Sequence, residues 1–473
     1  SPPCWIIEIV EMLKPAHLVQ QRVDMPIEEM HPLHPDVISR QATINIGTIG
    51  HVAHGKSTVV KAITGVQTVR FNAELKRNIT IKLGYANAKL YKCTVCPAPS
   101  AYCAFGSNKE DSPRCPSCQN EMVLQRHVSF VDCPGHDILM ATMLTGAAVM
   151  DAALLLIAAN EPCPQPQTRE HLAAVDIVKL EQIIVLQNKI DLVSEAAAIQ
   201  QHEDIKAFMQ LAINKDFPVL PVSAQLGYNI DVVVEYLCRA IRVPRRDFTL
   251  PPIFVIIRSF DVNKPGTTPE ELKGGIAGGS LLQGLMRLGD EIEIKPGVIH
   301  RLKNGTFRCR PLLTRVVTLQ AEQNELSFAV PGGLIGMGLL VDPTLTRKDR
   351  LVGHLAGRPK CLPQIYTTIY VKYQLMRMLV GKKSAAGASS QVSELKRREQ
   401  LMVNVGAMST GGDIEDLIKV GSMEIAKIRL RTPVCIQPNE KVAISRRIEQ
   451  HWRLIGWGEV TTEGIAATDE TAQ

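Results

Sequence analysis

The segment Gly50-His51-Val52-Ala53-His54-Gly55-Lys56-Ser57, followed by Thr58, constrains this chain more than any other. It fits G-x-x-x-x-G-K-[ST], follows the apolar run Ile44–Ile49 and leads into a helical-period segment, Ser57–Ile63. Strand, glycine-rich turn and helix in that order bring backbone N–H groups together at the positive end of a helix, which is a cradle for phosphate. Lys56 would reach β- and γ-phosphates, and the Ser57 hydroxyl would ligate Mg²⁺.

Three more segments each end their own expected strand. Asp132-Cys-Pro-Gly135 follows Val128–Val131; its carboxylate can hold Mg²⁺ through water, and the Gly135 N–H can meet a γ-phosphate. Asn188-Lys189-Ile-Asp191 follows Ile183–Leu186. A carboxylate at Asp191 pairs with the adjacent N1–H and N2–H₂ donors of guanine, whereas adenine would leave it unpaired. Ser223-Ala224-Gln225 follows Val219–Val222 and can close over the base. Four such segments in this order imply a site for GTP and GDP.

Alternation of these strands, with Ala152–Ala159 among them, and helical segments such as Thr168–Val178 predicts an α/β P-loop GTPase domain with a doubly wound, mostly parallel sheet. After Val243-Pro-Arg-Arg-Asp247 the texture becomes short β-branched runs between Gly/Pro turns, which predicts two β-barrel domains. The expected division is an N-terminal extension over 1–40, loosely ordered; the GTPase domain over 41–246; a first barrel over 247–358; a second over 359–465; and a tail over 466–473. Gly381–Ser393, small and basic, reads as a flexible loop.

Within the first domain, over 92–119, Cys93-x₂-Cys96-x₁₈-Cys115-x₂-Cys118 has the spacing of two knuckles that complete a tetrahedral Zn²⁺ site. Four prolines and little apolar content in this insert give a metal a structural purpose; Cys103 is a spare thiol. The knuckle could brace a neighbouring switch or dock a partner, and its spacing does not choose.

Of 12 cysteines, eight are scattered singly, which suits a reducing, cytoplasmic compartment. The longest apolar stretch, Gly146–Ala159, is broken by Asp151 and too short for a bilayer, so no membrane partner is expected. The start lacks a basic secretory leader, and its missing Met suggests processing or truncation. A net charge of +6 is compatible with an RNA partner without identifying one, and Arg245-Arg246, Lys382-Lys383, Lys396-Arg-Arg398 and Arg446-Arg447 are the basic runs that phosphate contacts would use.

The phosphate motif, Asn78-Ile-Thr80-Ile, Asp132-Cys-Pro-Gly-His136, Asn188-Lys-Ile-Asp and Ser-Ala-Gln together resemble the translational GTPases of the elongation factor Tu class. Arg77–Lys89, His127–Met143 and Glu449–Gly458 narrow that resemblance to the gamma-subunit family of eukaryotic translation initiation factor two, over about Ile38 to Gly458. The resemblance implies a first switch over Arg77–Lys82, with Thr80 as a second Mg²⁺ hydroxyl ligand, and a second switch over Asp132–Thr145. It also implies that His136 orients the attacking water, making His136, Lys56 and Thr80 the catalytic set; a surface residue that only meets partners is the other reading of His136. Ala53 and Asn78 depart from the elongation factors, where Asp and Gly are usual, and both agree with the initiation-factor family. Slow hydrolysis in isolation is therefore expected.

By the same resemblance, the partners would be alpha and beta subunits, initiator methionyl-tRNA, the small ribosomal subunit with its mRNA-bound initiation complex, and GTPase-activating and nucleotide-exchange factors. Other readings are an elongation-type carrier of another aminoacyl-tRNA, such as selenocysteinyl-tRNA, a non-hydrolysing GTP-occupied scaffold, and a regulatory GTPase of a metabolic enzyme.

Overall fold

The computed structural model describes residues 17–23, 25–68, 83–135, 140–177, 180–213, 215–264, 266, 268, 272–303, 305–376, 378–383, 389–420, 423–448 and 451–461. Strands β1 (Ile44–Gly50), β2 (Gly84–Cys93), β3 (Tyr102–Gly106), β4 (Met122–Asp132), β5 (Ala152–Ala158), β6 (Ile183–Asn188) and β7 (Val219–Pro221) form one sheet in the order β3-β2-β4-β1-β5-β6-β7. The helices are α1 (Pro35–Ile38), α2 (Lys56–Thr64), α3 (Met140–Ala147), α4 (Pro166–Ile177), α5 (Glu195–Ile213) and α6 (Ile230–Arg239).

Every residue of β1, β5 and β6 is buried, as a sheet covered on both faces requires. Alternate side chains separate cleanly. Ile44, Ile46, Phe130, Leu154 and Leu186 pack against Val59 and Ile63 of α2 and Val233 and Leu237 of α6. Ile49, Val131, Leu155 and Val185 pack on the other face against Met143 of α3, Leu172 of α4 and Ile205 of α5.

The sheet is mixed. β1 runs parallel to β4 and β5, β6 to β5 and β7, but β2 is antiparallel to both β4 and β3. The cysteine insert supplies β3 as the edge strand, and Cys93, Ala101, Tyr102, Cys115 and Met122 join the main core.

Six strands close the first barrel: β8 (Ile253–Phe260), β9 (Ile276–Gln283), β11 (Glu291–Arg301), β12 (Phe307–Ala321), β15 (Ile335–Leu339) and β16 (Leu355–Gly357), with β11 pairing back to β12. Short β13 (Asn324–Glu325) extends β12, and β10 (Met286–Arg287) pairs with β14 (Phe328–Ala329). The second barrel closes in the order β17 (Ile365–Leu375), β22 (Met423–Cys435), β21 (Met408–Val420), β20 (Gln400–Val405), β23 (Lys441–Ile448), β24 (His451–Val460). The expected 381–393 loop is in part a strand pair: β18 (Met378–Lys383) runs into it and β19 (Ser389–Gln391) lies within it, antiparallel to β18; 384–388 lie outside the described residues.

Residues 17–40 differ from the loose extension expected. Met25, Met30 and Val37 form a buried cluster with Phe248, Phe328 and Val330 of the first barrel. The Gln21 side chain donates to the Phe328 carbonyl (3.2 Å) and accepts from the Ser327 N–H (2.7 Å). Fully buried Gln41 does the same at Val330, at 2.6 and 3.1 Å. Pro, His and polar residues obscured this because these amides satisfy the backbone of another domain, a role with no sequence period.

Candidate nucleotide site

The phosphate loop lies where β1 ends and α2 begins. Gly50 has φ 136° and Gly55 φ 90°, backbone that favours glycine, and Ala53 joins them at φ 64°. A Cβ on Gly135 would lie 2.5 Å from Lys56 Nζ and 2.8 Å from the Val52 nitrogen, so only glycine lets the Asp132–Gly135 segment lie against the loop. The Lys56 ammonium, buried, donates to the Gly50 and His51 carbonyls at 2.9 and 2.8 Å. Burial pushes its pKa down to about 8, against the opposing pull of the Asp132 carboxylate.

Asp132 is wholly buried at the end of β4. It accepts from Ser57 Oγ at 2.6 Å, Thr48 Oγ1 at 2.9 Å and Thr68 Oγ1 at 2.6 Å. Ser57 and Asp132, both expected at the cation, are brought together here, and Thr48 and Thr68 were not anticipated. The available signal was a Thr inside the otherwise apolar run Ile44–Ile49.

Two histidines hold the loop from behind. His171 of α4 accepts the Gly50 N–H at Nδ1 (3.0 Å), and burial, reinforced by nearby Lys56, pushes its pKa down to about 3, keeping that acceptor neutral. Buried His54 bonds the Leu156 carbonyl through Nδ1 (2.8 Å) and Glu161 Oε2 through Nε2 (3.1 Å). His54 falls within the phosphate motif, but neither its partners nor His171 could be placed from sequence, since the link spans 121 positions.

Asn188 links the base side to the phosphate side. Its Nδ2 donates to the His54 carbonyl (2.9 Å) and its Oδ1 accepts the Ala224 N–H (3.1 Å). Lys189 takes a left-handed turn (φ 64°) into the single helical turn Ile190–Leu192, which presents Asp191 to solvent. Ser223 is buried and closes its turn with Tyr228 through reciprocal backbone bonds, with Gln225 exposed. His136, Asn78 and Thr80, with the whole first switch at 77–82, lie outside the described residues; of the second switch, Asp132–Gly135 and Met140–Thr145 are described.

In the insert, the four Sγ atoms of Cys93, Cys96, Cys115 and Cys118 lie within 4.8 Å of one another. Cys93 and Cys118 are 3.4 Å apart, and Cys96 and Cys115 3.8 Å, beside the roughly 3.8 Å sulfur spacing that Zn–S bonds of about 2.3 Å give in a tetrahedron. The Val95 and Cys96 N–H groups point at Cys93 Sγ, each at 3.5 Å. Hydrogen bonding with Cys118, then burial, pushes the Cys96 thiol up to about 12, while backbone N–H groups pull Cys115 and Cys118 down. Cys103 stands outside the four. Of the basic runs, Arg246 pairs with Asp151, Arg397 with Asp416 and Arg446 with Glu399. Among the described residues no helix is long and apolar enough to cross a membrane.

A mixed sheet with this phosphate loop, followed by two barrels, defines a GTPase of the elongation-factor class. Residues 41–243 match the family described as Elongation factor Tu GTP binding domain, and 367–460 match Initiation factor eIF2 gamma, C terminal. The chain is 58% identical, over 92% of its length and 98% of the other's, to "Eukaryotic translation initiation factor 2 subunit gamma" of Schizosaccharomyces pombe. It is 57% identical, over 93% of each, to "Eukaryotic translation initiation factor 2 subunit 3" of Drosophila melanogaster. The chain belongs to the gamma-subunit family of eukaryotic translation initiation factor 2 and is a translation initiation factor with a GTPase domain.

Among solved structures it resembles a bacterial selenocysteine-specific elongation factor, EF-Sec, at TM-score 0.63 and 22% identity, covering 88% of this chain and 58% of that one. Elongation factor SelB from Methanococcus maripaludis, in complex with the GTP analogue GppNHp, gives TM-score 0.63 at 19% identity, covering 89% and 79%. These are likenesses of fold.

The depressed His171 pKa sets a pH dependence. A histidine held neutral in the folded state stabilises it above the unfolded pKa near 6.5, and that stability is lost as pH falls from about 6.5 toward about 3. Urea unfolding of His171→Asn between about pH 7 and pH 5 should therefore fall less steeply than wild type, by up to about 1.4 kcal/mol per pH unit. Parallel profiles would show that His171 titrates normally.

Proposed function

We propose that this chain is a GTP-dependent carrier of initiator methionyl-tRNA, acting with alpha and beta subunits on the small ribosomal subunit in the cytoplasm. The observation that carries this reading is the seat of α3, which begins just past the Asp132–Gly135 segment. Its Met140, Met143 and Leu144 share one buried cluster with Val255 and Ile257 of the first barrel and Ala407, Ala443 and Leu454 of the second. A change at the γ-phosphate would therefore act on a helix wedged against both barrels, and barrel placement would decide tRNA affinity.

In this reading the amides from Gly50 to Thr58 hold the phosphates, and Lys56 turns from the Gly50 and His51 carbonyls to β- and γ-phosphate oxygens. Asp191 accepts the guanine N1–H and N2–H₂, while Asn188, Lys189 and Ser223–Gln225 enclose the base. The donors present fit Mg²⁺, since Ser57 and Asp132 offer oxygen ligands only and already lie 2.6 Å apart. Ser57 and Thr80 would ligate it directly and Asp132 through water, and when bound it would neutralise charge on the phosphates.

His136 would orient a water for in-line attack on the γ-phosphorus. The bond to the β–γ bridging oxygen breaks, GDP keeps that oxygen and its electron pair, and the released phosphate takes the water oxygen. Hydrolysis would be slow alone, with Ala53 in place of a carboxylate, and faster with a GTPase-activating factor; start-codon selection would trigger release, and an exchange factor would restore GTP. Identity of 58% to an initiation-factor subunit, against 22% to EF-Sec, favours this over delivery of selenocysteinyl-tRNA.

The tRNA reading is tested by equilibrium binding of methionyl initiator tRNA to the assembled factor. Affinity should be at least about tenfold higher with a non-hydrolysable GTP analogue than with GDP, and equal affinities would contradict it. For the cysteine cluster, metal analysis of the purified chain should find about one zinc, lost with a fall in melting temperature in Cys115→Ala. An unchanged melting temperature would remove the structural role.

A further inference from the structure

The hairpin of β11 and β12 is longer than the barrel that carries it. β16 pairs with β11 only over Lys295 to Glu293, and β15 with β12 only over Val316 to Gln320. Beyond a register shift between Ile294 and Val298, the strands pair only with each other, from Val298↔Arg310 to Arg301↔Phe307. The distal part, 298–310, is thus a two-stranded finger with both edges open.

Its charge is one-sided. His300, Arg301, Lys303, Arg308 and Arg310 are all exposed, and no Asp or Glu occurs between Glu293 and Glu322. Three Arg and one Lys give the finger +4, against +6 for the whole chain. Arg301, Lys303, Arg308 and Arg310 make no ion pair among the described residues, whereas Arg315, nearer the barrel, pairs with Glu291. His300 stands directly opposite Arg308, so those side chains share a face with Arg310, two residues further on. Arg308 and Arg310 thus stand two residues apart on one face of the ribbon, with no carboxylate in the finger beside them.

We propose that the finger 298–310 of the first barrel binds the phosphate backbone of structured RNA. Arg308 and Arg310 project at a spacing of about 6.7 Å along one strand, on a ribbon about 5 Å wide, so successive phosphates can be met from one face. Guanidinium forks suit phosphate oxygens. An acidic protein partner fits less well, because protein interfaces are built round a buried apolar centre, and Leu302 is the single large aliphatic side chain at the tip. The four cations lie on two strands and a turn, which is why no basic run marks them in the sequence. The inference rests on membership of a translation-factor family and not on the tRNA reading.

The test uses the full chain, a labelled RNA duplex of about 20 base pairs, and salt from about 50 to 200 mM. The variant R301A/K303A/R308A/R310A should lose about tenfold or more in RNA affinity, with a log–log salt slope shallower by about 3. GTP affinity and melting temperature should match wild type, and R301K/R308K/R310K should keep the wild-type slope. An unchanged slope in the alanine variant would overturn the proposal. So would unchanged RNA binding accompanied by lost binding to polyglutamate, which would make the finger a site for acidic protein.

Discussion

A single buried carboxylate organises the nucleotide site. Asp132 has no solvent exposure and accepts hydroxyl protons from the end of β1, the start of α2 and the segment after α2. A carboxylate buried without partners would cost several kcal/mol, so these three segments are held where their hydroxyls can reach it. Lys56 is buried beside it, its ammonium on the carbonyls of the loop it serves. The geometry of the phosphate loop follows from this arrangement, with His171 and His54 fixing the loop from the far side.

Outward from the site, contacts between domains combine apolar packing with directed hydrogen bonds. Residues 17–23 and 25–41 meet the first barrel through the Met25, Met30 and Val37 cluster and through amide side chains on backbone groups: Gln21 at Ser327 and Phe328, Gln41 at Val330 and Gly332, and Asn324 at the Arg40 carbonyl. Such bonds demand one alignment and are lost together if it changes. α3 meets the second barrel and shares one apolar cluster with residues of both barrels, with Thr145 Oγ1 on the Ala407 carbonyl at 3.4 Å as a polar addition. Apolar packing tolerates small shifts better, which suits the helix that follows the second switch.

Much of the fold was legible because it depended on local signals. Apolar runs ending in Gly50–Ser57, Asp132–Gly135, Asn188–Asp191 and Ser223–Gln225 mark strands whose ends form the site, and cysteine spacing alone grouped Cys93, Cys96, Cys115 and Cys118. Relations at long sequence separation were not legible. β2 and β3 hide in a segment without a clear period, so the antiparallel edge was missed. Gln21 and Gln41 look like loop residues until the first barrel is placed against them. Asn188 was expected among the GTP-binding residues, and its side chain also holds the His54 carbonyl and the Ala224 N–H, a link between two loops that no motif announces.

In the proposed function, Asp132 and Ser57 make triphosphate binding depend on a divalent cation. The most direct measurement is GTP affinity with Mg²⁺ and with chelator, in wild type and in Asp132→Asn, which keeps the side-chain shape and removes the charge. Affinity in wild type should fall at least about tenfold on chelation, and the variant should show little further loss. Equal dependence on Mg²⁺ in both proteins would contradict the account.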